Sequence, residues 1–275
     1  MQLGPVYSIT GEVFHPGVSM LEVMEEALKG GANIVQLRDK HSSKPVVYEK
    51  AKQLKKLCDQ YDVPFIINDY IDIALDVDAT GVHLGQDDTP IEEARRQLGP
   101  GKVIGISTHG MEQALDAQAR GADYIGAGPV YETNTKEDVV APVGLEYIKA
   151  LKESNLHIPF VAIGGIKLHN LQEVIEAGAA SICMVSEIVG HQDPAYVVRK
   201  AHELLKTHNS ISVQLNGKTT TTNVETVEAL VKEIGIDPGL VVTEVDGQII
   251  QEEDRHSVLL HDGMSIEMVQ FVGGG

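Results

Sequence analysis

Eight short apolar runs recur through the first 207 residues, each followed by a polar or glycine-rich turn and a longer amphipathic stretch. The runs are "VYSIT", "NIVQLR", "PFIIND", "GVHLG", "KVIGIST", "DYIGAG", "PFVAIGG" and "SICMV". Short Val- and Ile-rich runs suit strands. The stretches between them suit helices, as in "SMLEVMEEALKGG", which has Leu21, Met24 and Leu28 at helical spacing and a Gly-Gly stop. Regular alternation of the two demands parallel strands covered by helices. Eight such units in about 200 residues predict an α/β fold, a compact (β/α)8 TIM barrel. An open doubly wound sheet is the alternative, but its Gly-x-Gly-x-x-Gly turn is missing after the first strand.

After His208-Asn209-Ser210, read as a linker, the pattern changes. "ISVQLNGKTTTT" predicts a hairpin about Asn216-Gly217, the strongest short turn signal. "NVETVEALVKEIGI" places Val224, Val227, Val231 and Ile234 on one helical face. "LVVTEVDGQII", with an Asp-Gly turn, "SVLLHDG" and "MSIEMVQFV" then read as further strands. The expectation is a barrel over 1–207 and a small α+β module over 211–275.

Charge narrows the functional classes. The chain carries a formal −18. The small module has three cations against eleven acids, hence −8, and the remainder carries −10. A protein that reads nucleic-acid phosphates normally has the opposite sign, so no nucleic-acid partner is expected. No apolar run reaches the ~18 residues of a membrane helix, and "MQLGPVYSIT" lacks the features of a signal peptide. Cys58 and Cys183 lie far apart in apolar runs and read as buried free thiols of a reducing compartment. A soluble, cytoplasmic protein is expected, with no membrane partner. A homo-oligomer is compatible with the sequence but not specified by it.

In a (β/α)8 barrel, reactive groups sit where strands end and the following loops begin. Strand two ends "QLRDK", where Gln36, Arg38 and Lys40 alternate and so share a side. Two cations and an amide there suit a phosphate or diphosphate. The competing use is an Arg38–Asp39 pair with Lys40 in solvent. Strands three and four end "NDY" and "HLGQDD". Asp69 and Asp88 could share one Mg²⁺ through oxygen ligands, with Asn68 nearby. Helix N-capping is the alternative use of these aspartates, and one of Asp87 and Asp88 is expected to cap. Strand five offers Ser107, Thr108 and His109; the histidine suits acid–base work or a structural place at a helix start. The loop "GPVYETNTKEDVVAP" bunches Thr133, Thr135 and Lys136 like a closing anion clamp. "IGGI" and "VSEI" end the last two strands, where glycines and Ser186 form a backbone cradle for a monophosphate. Two anion sites, one with cations and a metal, fit substitution at carbon with diphosphate as the leaving group.

In order and spacing, "QLRDK", "INDY", "GVHLGQDD", "GISTH", "DYIGAGPVYETNTK", "VAIGGI" and "VSEI" resemble thiamine-phosphate synthase over residues 1–207. The resemblance implies joining of 4-amino-2-methyl-5-hydroxymethylpyrimidine diphosphate to 4-methyl-5-(2-hydroxyethyl)thiazole phosphate, with Mg²⁺ and release of diphosphate. It implies that Asp69 and Asp88 hold Mg²⁺ and that Arg38, Lys40, Asn68 and Lys136 face the diphosphate. Gln36 and Ser107 would sit by the pyrimidine. Thr133, Thr135, Gly165, Val185 and Ser186 would hold the thiazole phosphate. The related thiazole tautomerases resemble the chain less, because a histidine stands there at the position of Pro129 and the diphosphate cations are eroded. Glu132, Glu137 and Asp138 depart from what an anion loop needs and read as solvated flanks.

"VQLNGK", "LLHDGMSIEMVQFVGGG" and the order of elements in 211–275 resemble the ubiquitin-like β-grasp sulfur carriers of thiamine biosynthesis. Molybdopterin carriers look similar. The resemblance implies a thiocarboxylate at Gly275, which glycines such as Gly274 let pass through a narrow active site because they lack a Cβ. An adenylating enzyme and a thiazole synthase are the implied partners, because no ATP-binding loop is visible here. A working synthase with a vestigial carrier, and an inert barrel serving a working carrier, are the competing arrangements.

Overall fold

The computed structural model describes residues 3–133, 135, 140–208 and 210–270. Eight parallel strands close a barrel in sequence order: β1 (Val6–Ile9), β2 (Ile34–Leu37), β3 (Phe65–Asn68), β4 (Gly81–Leu84), β5 (Val103–Thr108), β6 (Tyr124–Ala127), β7 (Phe160–Ile163) and β8 (Ile182–Cys183). Each lies inside one of the eight apolar runs. Closure is made by β8 pairing with β1, Val6 opposite Ile182 and Tyr7 opposite Cys183. No strand edge is left for another chain to join.

Helices follow the strands: α1 (Met20–Lys29), α2 (Lys44–Gln60), α3 (Ile71–Asp76), α4 (Ile91–Leu98), α5 (Met111–Ala119), α6 (Gly144–Glu153), α7 (Leu171–Glu176) and α8 (Val185–Val189), then α9 (Pro194–His208). The first starts in a capping box, with Ser19 accepting from Leu21 N–H and Glu22 from Ser19 N–H. Val23, Met24, Ala27 and Leu28 give it a buried stripe at helical spacing. Together with Leu54, Cys58, Ile148 and Val174 they fill the layer between helices and barrel.

A second, separate cluster fills the barrel itself: Tyr7, Ile9, Ile34, Ile66, Tyr124, Val161 and Cys183. The two phenols need space, and glycines supply it. A Cβ on Gly105 would lie 2.1 Å from the Tyr124 ring, and one on Gly126 would lie 3.2 Å from the His83 ring. Cys58 and Cys183 are both buried and form no disulfide.

By its contacts the chain divides into two units, 1–205 and 206–275. The second holds a mixed five-stranded sheet in the order β10-β9-β13-β11-β12, built from β9 (Ile211–Leu215), β10 (Lys218–Thr222), β11 (Val241–Val245), β12 (Gln248–Ile250) and β13 (Ser265–Gln270). β13 runs parallel to β9 at its centre. Both predicted hairpins form, with Asn216-Gly217 and Asp246-Gly247 at positive φ as two-residue turns require. Helix α10 (Val227–Glu233), capped by Thr226, buries Val227, Leu230 and Val231 against the sheet. The reading of "SVLLHDG" as a strand is not met: that segment makes only a bridge between Leu259 and Thr226. Its partner backbone belongs to the start of α10, which offers no ladder to extend. Ile234, placed on the apolar face, is exposed just beyond the helix end. No helix among the described residues is long and apolar enough to cross a membrane.

Candidate active site

Parallel closure brings the carboxyl ends of all eight strands to one rim. A cleft of about 470 Å³ opens there. Arg38 and Lys40, Ser107, Thr133 and Thr135, and Val185 line it, from four different strand-to-helix connections or strand ends. A smaller recess of about 30 Å³ shares Arg38, Ser107 and Gly126 with the cleft and adds Gln36, Asn68, His83 and Tyr124. Most of the sequence-predicted groups are therefore brought together. Asp69, Asp88, Gly165 and Ser186 are outside both linings, although Asn68 borders the recess and Gly85, Gln86, Gly164 and Val185 are within the cleft wall. Lys136, Glu137, Asp138, Gly274 and Gly275 lie outside the described residues.

The loop after β2 is held from both sides. Arg38 N–H donates to Thr10 Oγ1 at 2.9 Å, and that hydroxyl donates to Arg38 O at 3.1 Å. The Asp39 carboxylate is bound by Lys50 at 2.6 Å, and Lys50 also reaches Glu12 at 2.7 Å. Burial alone would raise the Asp39 carboxyl, but Lys50 and the N–H groups of Ser42 and His41 hold it well below the usual carboxylate range. The cation that holds Asp39 is Lys50.

Lys40 donates to the Asp69 carboxylate. Burial raises the Asp69 carboxyl, and the adjacent Asp88 carboxylate adds to the effect against the opposing pull of Lys40. Asp88 accepts from Gly85 N–H at 2.6 Å. Neither aspartate caps a helix. Tyr70 and Pro90 precede α3 and α4 without any side-chain cap, so the expected Asp87 or Asp88 cap is absent as well. Two carboxylates forced together in a half-buried place fit a cation. Their all-oxygen character fits Mg²⁺, which keeps several waters and takes phosphate oxygens as further ligands. Among the described residues no group of three or more His, Cys, Asp and Glu gathers.

Across the cleft, Thr133 and Thr135 hydroxyls meet at 2.9 Å. Gly164 and Gly165 take positive φ, and a Cβ there would strike Pro129 at 2.4 Å or Glu132 O at 2.5 Å. Only glycine lets the two loops meet this closely. Ser186 Oγ accepts from Lys167 Nζ at 2.7 Å, and Lys167 also pairs with Glu187 at 3.2 Å. Lys167 was missed in the sequence, though it follows "IGGI" directly and is a cation at a strand end. Glu132 is exposed. His109 lines the cleft with its Nδ1 2.6 Å from Gly128 O and its N–H on Gln113 Oε1, which ties the β5 and β6 loops together.

The largest omission from the sequence reading lies inside the barrel. Gln36 Nε2 donates to Tyr7 Oη at 3.1 Å, Tyr7 Oη lies 2.8 Å from Tyr124 Oη, and Tyr124 Oη lies 3.0 Å from His83 Nδ1. His83 Nε2 then lies 3.0 Å from Ser107 Oγ. Burial raises both phenols well above their ordinary range, so both stay neutral. Two predicted site residues on β2 and β5 are thereby joined by one hydrogen-bonded chain.

Comparison with known proteins finds relatives of both parts of the chain. The family model described as "Thiamine monophosphate synthase" matches residues 6–188, and the model described as "ThiS family" matches 208–275. A thiamine-phosphate synthase of Shouchella clausii is 61% identical over 188 residues, covering 68% of this chain and 90% of its own length. One from Halalkalibacterium halodurans is 59% identical over 188 residues, covering 68% of this chain and 89% of its own. The solved thiamine phosphate pyrophosphorylase from Pyrococcus furiosus superposes with a TM-score of 0.67 at 37% identity, over 74% of this chain and 96% of that one. On these matches the chain belongs to the thiamine monophosphate synthase family and carries a ThiS-family β-grasp domain after the barrel.

Proposed function

We propose that the barrel, residues 1–207, condenses 4-amino-2-methyl-5-hydroxymethylpyrimidine diphosphate with 4-methyl-5-(2-hydroxyethyl)thiazole phosphate. The products are thiamine phosphate and diphosphate. The observation that carries this reading is the Asp69–Asp88 pair touching Lys40 beside a cleft whose far wall holds Thr133, Thr135 and Val185. One wall suits a diphosphate with its metal, and the other suits a monophosphate.

In this reading Asp69 and Asp88 would hold Mg²⁺, whose positive charge would help stabilise a diphosphate leaving group. Arg38, Lys40, Asn68 and Lys136 bind and neutralise the same group. The C–O bond breaks with its electron pair leaving on diphosphate, and the pyrimidine amino group supports the carbocation left behind. The thiazole nitrogen donates its lone pair to form the new C–N bond. Gln36 and Ser107 orient the pyrimidine; Thr133, Thr135, Gly165, Val185 and Ser186 fix the thiazole phosphate. Positioning and charge stabilisation are the main demands of such a substitution. Incubating the full chain with both substrates and Mg²⁺ tests the reading: thiamine phosphate and diphosphate should form one for one, and a chelator should stop them.

The second domain, residues 211–275 beyond a short linker at 208–210, is proposed to carry sulfur as a thiocarboxylate on Gly275. The ThiS-family match supports it, as does fusion to a barrel that would consume the thiazole made with that sulfur. An adenylating enzyme and a thiazole synthase are the proposed partners, and the cytoplasm is the proposed compartment. The mass of the C-terminal peptide, taken from cells holding the native sulfur-transfer enzymes, tests this. One oxygen replaced by sulfur is the expected result; plain carboxylate alone under thiamine starvation would mean a retired carrier.

A further inference from the structure

Lys167, in the loop after β7, joins that loop to the first turn of α8. Its Nζ donates to Ser186 Oγ at 2.7 Å and stands 3.2 Å from the Glu187 carboxylate. The backbone of the lysine is held as well. Lys167 N–H donates to Asn170 Oδ1 at 2.7 Å, and Asn170 Nδ2 donates to Gly165 O at 3.1 Å. The Lys167 and Glu187 side chains are 30% and 24% exposed, so salt screens this pair less than it screens an ion pair in open solvent. Fixed at backbone and head, Lys167 has little freedom left to lose when a ligand arrives.

The bond to Ser186 has only one possible direction. An ammonium has hydrogens and no lone pair, so Ser186 Oγ must accept. The serine hydrogen is thereby turned away from Lys167, and no acceptor among the described residues takes it. Accepting from a cation also polarises the O–H bond and makes it a stronger donor. Gly164 and Val185, from the same two connections, border the cleft. The loop after β6 closes in from the other side: a Cβ on Gly165 would lie 2.5 Å from Glu132 O, next to Thr133.

We propose that Lys167 is a positioning residue for the monophosphate of the second substrate, acting through Ser186: it fixes the serine hydroxyl as a donor and places positive charge behind it. This role rests on the thiazole phosphate site proposed above. A phosphate monoester carries roughly −1.5 to −2 charges near pH 7, whereas the hydroxyls of Thr133, Thr135 and Ser186 are neutral. Hydrogen bonds to a charged group are stronger than those between neutral groups, and a hydroxyl already polarised by an ammonium gains most from one. Without Lys167 the serine can turn its hydrogen to a backbone carbonyl, as serines at such places readily do, and the phosphate loses a donor. Glu187 offsets much of the net charge of Lys167, which leaves the orientation of Ser186 as the larger part of the effect. Lys167 thus makes the barrel favour a phosphorylated second substrate over the corresponding alcohol.

Steady-state kinetics with Mg²⁺ and both substrates test this in four full-length chains: wild type, Lys167→Met, Ser186→Ala and the double variant, each checked for folding by circular dichroism. Lys167→Met should raise KM for the thiazole phosphate by about 10-fold and leave KM for the pyrimidine diphosphate where it is. The preference for the phosphate over the corresponding alcohol, read as a ratio of kcat/KM values, should fall by the same factor. Because Lys167 acts through Ser186, the double variant should be no worse than Ser186→Ala alone, a departure from additivity of about 10-fold. Losses that multiply in the double variant, or that fall on kcat and both KM values alike, would make the Lys167–Glu187 pair a structural strap and overturn the inference. A folded Lys167→Met with an unchanged KM for the thiazole phosphate overturns it too, while leaving the synthase reading intact. No turnover by the wild type overturns the synthase reading and the role of Lys167 with it. Should Lys167→Met not fold, Lys167→Leu carries the same cycle.

Discussion

The Lys50 ammonium, nearly two turns into α2, stands 2.6 Å from the carboxylate of Asp39, the residue between Arg38 and Lys40 in the β2 loop. Lys50 also binds Glu12 of the loop after β1, so one side chain joins two segments of the cleft rim.

Lys50→Met should therefore loosen the loop that presents Arg38 and Lys40. The expected effect is a rise of about 10-fold in KM for the pyrimidine diphosphate with a smaller change in kcat, read from steady-state kinetics. The pH behaviour has a definite sign. Asp39 is depressed in the folded state, so its contribution to stability is complete above the unfolded value of about 3.9. It is lost only as pH falls through the lower folded value. Removing Lys50 raises that folded value, and the acid-unfolding midpoint should move to higher pH.

Gly105→Ala should be severely destabilising, because the new Cβ would meet the Tyr124 ring at 2.1 Å and the ring has no other space inside the barrel. Overpacking of this kind costs about 1–3 kcal/mol or more. Urea unfolding should show a loss at the upper end of that range. A variant as stable as the wild type would mean that Tyr124 does not occupy the barrel interior.

The thiols should be silent in the native state. Burial, with a smaller contribution from Asp59, pushes the Cys58 thiol up to about 12, and Cys183 is buried inside the barrel. Little thiolate exists near neutral pH, so a thiol-specific reagent should label neither until denaturant is added. Rapid labelling of Cys58 at pH 7 would contradict its placement on the buried face of α2.

In the second unit, buried Arg255 donates through Nη1 to Pro238 O at 2.7 Å and through Nη2 to Val241 O at 2.5 Å. Arg255→Met strips both carbonyls of their donor at a cost of about 1–3 kcal/mol each when buried. The ThiS-like unit should melt on the order of 10 °C lower, seen by differential scanning calorimetry of the full chain.

The eight strands were legible because each is a short Val- and Ile-rich run between breakers, a signal that needs no knowledge of neighbours. The rim residues were legible for a related reason: in a barrel, the end of a strand is the site. The interior chain was not. Tyr7, His83 and Tyr124 sit within "VYSIT", "GVHLG" and "DYIGAG", where they look like ordinary strand residues. Their hydroxyls and ring meet only on closure, Tyr7 and Tyr124 being 117 residues apart. The Asp39–Lys50 pair was not legible either, because Lys50 lies eleven residues on, within α2. "SVLLHDG" misled because its apolar side chains serve a surface turn and one bridge, not a ladder.

The Asp69–Asp88 pair gives the most direct test of the proposed function. Thiamine phosphate formation should be followed with both substrates and Mg²⁺ in the wild type and in Asp69→Ala, with folding of the variant checked by circular dichroism. The account predicts product from the wild type and a loss of at least about 100-fold in kcat/KM from the variant. A folded Asp69→Ala that keeps full activity would contradict the assignment of Asp69 and Asp88 as the metal site, and with it the diphosphate half of the mechanism.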